Sequence, residues 1–149
     1  MKNKSPVNLN HSRGENQRKN MEESLKVGVC LFCPKHIKKY HSSPIEKNGK
    51  FWMVTKNDYP YEGTKHHYLF IYRKHIDSLA KITTEGMKEF LVHLKWLEKK
   101  FKIQGGSILM RFGDSNRTSA TITHLHAHLI VGGKGPNRDR ISTFVGYKK

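Results

Sequence analysis

Apolar residues are unevenly spaced along the chain. Residues 1–24 are nearly all polar or charged, and the apolar clusters fall between residues 27 and 133. Residues 51–54 (Phe-Trp-Met-Val) predict a short strand ahead of the turn-rich stretch Asn57-Asp58-Tyr59-Pro60-Tyr61-Glu62-Gly63. His67-Tyr68-Leu69-Phe70-Ile71-Tyr72 is β-branched and aromatic, and reads as a second strand. Thr83 or Thr84 is placed to cap a helix with Glu85 in its first turn. Met87, Phe90, Leu91, Leu94, Leu97 and Phe101 then recur at three- and four-residue steps and form one apolar stripe, with Gly105-Gly106 as the expected stop. Two further strands are predicted over residues 107–112 and 121–131, on either side of the polar loop at 113–119. This order predicts an α+β fold whose antiparallel sheet is covered on one face by the long helix.

Composition adds boundaries to this pattern. The predicted layout is a disordered basic arm (1–24), a folded domain (25–133) and a basic C-terminal tail (134–149). The 149 residues carry 28 Lys and Arg against 12 Asp and Glu, a formal charge of +16. Such a charge attracts polyanions without selecting one, and a lysine-rich proteome would produce the same excess. The arm lacks the apolar run of a secretory signal, and Glu15, Glu22 and Glu23 are unlike a transit peptide. No stretch of about 18 apolar residues suggests a membrane span. The expected location is cytoplasmic.

Two features carry candidate chemistry. Cys30-Leu31-Phe32-Cys33 has the spacing of half a metal site or a redox pair, but no thioredoxin-like βαβ context surrounds it. His36 and His41 follow and are one way to complete a local zinc site, though the spacing is tight. The second feature is His124-Leu125-His126-Ala127-His128. On a strand the three imidazoles share one face and Leu125 and Ala127 the other. Neighbouring same-face residues are about 6.6 Å apart and the outer pair about 13 Å. With metal–nitrogen bonds of about 2.1 Å, three such histidines do not readily share one ion. Two of them could, and the alternative is a row of imidazoles that attacks and hydrogen-bonds an extended anion. A histidine-rich exposed face without function is a third reading, against which three histidines in register over an apolar back face count.

His-Leu-His-Ala-His-Leu-Ile resembles the histidine triad motif. The Cys30/Cys33 pair, the turn and strand from Asn57 to Ile76, and Arg111-Phe112-Gly113-Asp114 resemble neighbouring segments of that family, in order. The last is similar to a bacterial branch near the dinucleoside polyphosphate phosphorylases and hydrolases. The resemblance implies an enzyme that cleaves at the α-phosphate of a nucleoside polyphosphate or phosphoramidate, with an adenosine-type nucleotide as substrate. His126 would be the nucleophile that forms a nucleotidyl-histidine, and His128 would contact the α-phosphate and leaving group. Ser119 and Thr121 would cradle phosphate, and Asn57 would lie near the ribose. Zinc-bearing relatives imply a structural zinc on Cys30, Cys33, His75 and His124. The family also implies a homodimer. Ala120 departs from the pattern, because many members carry a glutamine there that helps orient the leaving group. Alternative readings are a basic, zinc-containing protein that binds nucleic acid or processes DNA ends, with weak contacts through arm and tail, and a nucleotide-binding partner protein without turnover.

Overall fold

Runs with strand periodicity and one long run with helical periodicity build most of the regular structure. The computed structural model describes residues 5–135 and 139–149. In chain order it contains α1 (Glu15–Lys26), α2 (Ile37–Tyr40), β1 (Ile45–Asn48), β2 (Trp52–Lys56), β3 (His66–Tyr72), α3 (Thr84–Phe101), β4 (Ser107–Arg111), α4 (Ser115–Thr118) and β5 (His126–Val131). The strands form one antiparallel sheet in the order β1-β2-β3-β5-β4, so β5 is flanked by β3 and β4. The expected α+β fold, an antiparallel sheet with one long helix on a face, is the fold observed, and the sheet has five strands.

The helix α3 begins as its sequence predicts, with the Thr83 hydroxyl accepting from the Gly86 N–H at 3.0 Å. Its buried line is Gly86, Phe90, His93 and Leu97. Met87 and Leu91, expected within the apolar stripe, are 39% and 51% exposed. The helix faces Trp52, Val54, Tyr68, Phe70 and Tyr72 from the strands, and the same core holds Leu125, Ala127, Leu129 and Val131. Gly105-Gly106 does not end this helix. Lys102 does, in the left-handed conformation with φ 50°, its N–H bonded to the Glu98 carbonyl. Gly106 serves close approach instead: a Cβ there would lie 3.0 Å from the Ile130 carbonyl oxygen.

The other sheet face differs from expectation. Residues 1–24 were expected to be a disordered arm, but α1 spans Glu15–Lys26 and buries Gln17, Met21 and Ser24. Residues 1–4 lie outside the described residues. Met21, 1% exposed, joins Val7, Leu31, Phe32, Ile37 and Tyr40 in a second core against Met53, Leu69 and Ile71. The reason is visible in β2 and β3, whose apolar residues occupy both faces, as in sheets buried on two sides. A few apolar residues in a polar arm suffice to cover the second face, and average composition conceals them. The domain therefore begins within the arm rather than at residue 25. From the tail, whose residues 136–138 lie outside the described set, Thr143 and Phe144 reach Arg111, and Tyr147 reaches His11. Among the described residues no helix is long and apolar enough to cross a membrane.

One carboxylate ties α3 to the sheet. Glu89 accepts the backbone N–H groups of Lys50 (3.0 Å), Phe51 (2.9 Å) and Trp52 (2.8 Å). The absence of a side chain at Gly49 leaves room for it. Burial opposes its charge, but these three donors outweigh burial and hold its pKa below the ordinary 4.5. Its contribution is thus full above the unfolded pKa and is lost as pH falls through the lower folded value. Glu89→Ala is expected to cost about 2 kcal/mol at neutral pH, in line with hydrogen bonds to a charged group. Thermal melts of variant and wild type should converge as the buffer is acidified below pH 4.5.

Candidate active site

Cross-strand partners share a sheet face. In the ladder, His126 lies opposite Ile71 and Arg111, and His128 opposite Leu69 and Leu109. Both histidines therefore face the second core. They are 8% and 5% exposed, not on an open sheet face as the sequence suggested. The reason is the arm, which walls a cavity of about 520 Å³ that both histidines line.

The hydrogen bonds assign the tautomers. His126 Nδ1 lies 2.7 Å from the His124 carbonyl oxygen, which only accepts, so Nδ1 carries the proton. Nε2 of His126 is then a lone pair. Burial is the main cause that lowers its pKa to about 4, followed among the lowering effects by the nearby charges of Arg111 and Arg13. The ring is neutral and nucleophilic at pH 7. The edge of Phe32 packs against it with centroids 5.0 Å apart.

His128 is set by a relay. The Tyr61 backbone N–H donates to His67 Nδ1 at 3.1 Å, which leaves the His67 proton on Nε2. That Nε2–H donates to His128 Nδ1 at 2.8 Å. His128 therefore carries its proton on Nε2, as a donor. Burial lowers the pKa of His67 to about 4 and that of His128 well below the ordinary value, so both rings are neutral. Asn57, 6% exposed, lies beside the relay, its Oδ1 accepting the Tyr59 N–H.

His67 was missed in the sequence reading, as were Tyr61, Arg13 and Arg111. A signal for His67 exists, because it shares period two with Leu69 and Ile71 on β3. Nothing local marks Arg13. Of the expected contacts, Asn57, Ser119 and Thr121 line the same cavity as His126 and His128. Ser119 ends α4 in the left-handed region with φ 55°. The Thr121 hydroxyl donates to the His11 carbonyl at 3.2 Å.

His124 is not part of the triad strand, as β5 starts only at His126. Its ring turns towards the cysteines and is fully buried. Cys30, Cys33, His75 and His124 place their ligand atoms within 4.8 Å of one another. His124 Nδ1 lies 3.5 Å from the Cys30 sulfur and 3.7 Å from that of Cys33, and His75 Nδ1 lies 3.3 Å from the Cys33 sulfur. His124 Nε2 donates to the Tyr72 carbonyl, which leaves Nδ1 as a lone pair aimed at the thiols. A distant carbonyl of this kind orients metal-binding imidazoles. Burial pushes the Cys30 thiol up to about 12 and raises that of Cys33; a bound divalent cation reverses this preference. The donor set fits a tetrahedral ion. His41, the local alternative, instead contacts Asp58 at 3.2 Å and Thr55 at 2.8 Å, and neither it nor His36 joins the cluster.

No protein-family model matches the chain, and no curated protein matches it in sequence. Solved structures do. A histidine triad nucleotide-binding protein from Candida albicans superposes with TM-score 0.57 at 22% identity, covering 75% of this chain and 86% of its own. An HIT family hydrolase from Clostridium thermocellum gives TM-score 0.53 at 26% identity, covering 72% and 95%. A zinc-bound histidine triad family protein from Mycobacterium smegmatis gives 0.56 at 16% identity, covering 80% and 84%. The fold of this chain is that of the histidine triad proteins.

Proposed function

We propose that the chain is a nucleotidyl hydrolase or transferase that cleaves its substrate at the α-phosphate. The observation that carries this reading is the pair of opposite tautomers in one cavity: a lone pair on His126 Nε2 beside a donor on His128 Nε2. The His126 lone pair forms the nitrogen–phosphorus bond as the bond from α-phosphorus to the leaving group breaks. The electron pair passes to the leaving atom, which His128 Nε2–H hydrogen-bonds. His126 becomes cationic, and its Nδ1–H remains on the His124 carbonyl. Water, phosphate or another acceptor then displaces the nucleotide from His126. Positioning and charge neutralisation lower the barrier.

Met21, Leu31, Phe32, Tyr40 and Leu69 offer the cavity an apolar wall for a purine such as adenine, with Asn57 towards the ribose and Ser119 towards phosphate. Cys30, Cys33, His75 and His124 would hold a structural zinc, with four protein ligands and no position left open. It would fix the Phe32 turn and the His124 carbonyl that orients His126. A homodimer is supported by the edge strand β4, with Ile108 exposed, and by exposed Met87, Leu91 and Val92 on α3. The nucleotide-binding and hydrolase descriptions of the solved relatives agree with this reading.

His126→Ala is expected to lower turnover of diadenosine tetraphosphate or adenosine phosphoramidate by about 10³-fold or more, and to abolish an acid-labile nucleotide adduct trapped by rapid quench. Equal turnover by the variant would overturn the mechanism. For the metal, elemental analysis should find about one zinc per chain, lost in Cys30→Ser and His75→Ala and retained in His36→Ala. Zinc kept by His75→Ala and lost by His36→Ala would reverse the ligand assignment.

A further inference from the structure

Two guanidinium groups line the cavity without a role in the bond-making described above. Arg111 ends β4 directly across the ladder from His126, so its side chain lies on the histidine face. Arg13 comes from the arm, just before α1, with its guanidinium carbon 4.6 Å from the Tyr61 ring centroid. The same tyrosine accepts a hydrogen bond from Arg111 Nη1 at 3.3 Å. Its ring also stacks on His128, with centroids 5.7 Å apart and planes inclined by 17°. One aromatic ring thus links both arginines to the donor histidine.

Among the described residues no carboxylate lines this cavity. Among the described residues neither Arg13 nor Arg111 is paired with an Asp or Glu. Arg111 is half-buried, and its Nε is buried with no hydrogen-bond partner. Its Nη2 donates to two neutral oxygens, the Thr143 hydroxyl at 3.2 Å and the Phe144 carbonyl. A cation removed from water without a counter-charge is unfavourable, and an oxyanion is the partner that relieves it. The planar guanidinium matches phosphate oxygens two at a time. Ala120 contributes no side-chain donor.

We infer that Arg13 and Arg111 are specificity-determining residues that clamp an anionic leaving group beside His128. The inference rests on the nucleotidyl-transfer reading and deepens it: the site favours a nucleotide whose leaving group is itself a phosphate chain over one whose leaving group is an amine. In both reactions His126 forms the same bond. A departing phosphate chain gathers negative charge as the α-phosphorus–oxygen bond breaks, whereas an amine departs neutral as it takes up the His128 Nε2 proton. Only the first gains from two fixed cations.

The test compares kcat/KM for diadenosine tetraphosphate and adenosine phosphoramidate in the wild type, Arg13→Gln and Arg111→Lys. Arg13→Gln alters an exposed arm residue, and Arg111→Lys keeps the charge while removing the fork, so neither depends on rebuilding the core. The wild type is expected to prefer the polyphosphate. Each variant should lose about 10- to 100-fold with it, the range expected for hydrogen bonds to a charged group. The loss with phosphoramidate should be much smaller, so that the preference narrows by about tenfold. A parallel thermal-shift titration with inorganic tripolyphosphate should stabilise the wild type more than either variant. Equal losses on both substrates, or a wild type preferring phosphoramidate, would overturn the clamp and leave the nucleotidyl-transfer reading standing. Absence of turnover with either substrate would remove that reading. The clamp then stands or falls on the tripolyphosphate shift, and an identical shift in all three proteins rejects it.

Discussion

A neutral imidazole carries one donor and one acceptor, and a buried one has to satisfy both or leave one facing something that will. Four histidines meet this constraint in adjoining space. His124 donates a hydrogen bond from Nε2–H to the Tyr72 carbonyl, and His126 donates one from Nδ1–H to the carbonyl of His124. His67 accepts a hydrogen bond from the Tyr61 N–H and donates one from its own Nε2–H to His128. The outcome is three differently directed rings: a lone pair towards the thiols, a lone pair in the cavity, and a donor in the cavity. Their opposite roles follow from which backbone group each ring meets.

That constraint operates only because the face is covered. α1, the turn at Cys30–Cys33 and the bridge between Val7 and Ile122 close the sheet on the side away from α3. Burial keeps the rings neutral. The arm also brings Arg13 to the cavity whose other cation comes from β4, so arm and sheet supply the two halves of one charged wall. The Cys turn has two functions in this arrangement. Its sulfurs face His75 and His124, while Phe32 between them packs on His126. A shift of that turn would move both the Cys30–Cys33–His75–His124 cluster and the His126 ring.

Local patterns were reliable where a single element carries its own signal. Thr83 caps α3, and β2, β3 and β4 lie where β-branched and aromatic runs put them. In the structure His126 and His128 line one cavity with Asn57, Ser119 and Thr121, and the ligand atoms of Cys30, Cys33, His75 and His124 lie within 4.8 Å of one another. Patterns failed where an element depends on distant partners. Residues 15–26 are too polar to suggest a buried face, yet Met21 packs against the sheet with Leu25 partly buried beside it. The strand expected from residue 121 starts at 126, because His124 leaves the alternation to meet the cysteines.

The sequence by itself determined the α+β order, the long amphipathic helix, the period-two placement of His126 and His128, and the pairing of two thiols at a turn. These rest on periodicity and short-range spacing, which belong to one segment at a time. Only the tertiary structure decided which imidazole nitrogen holds a proton, that His67 orients His128, that Arg13 meets Arg111 across Tyr61, and that the arm covers the site. Each of these is a relation between segments far apart in the chain, settled by which donor, acceptor or charge burial brings opposite another.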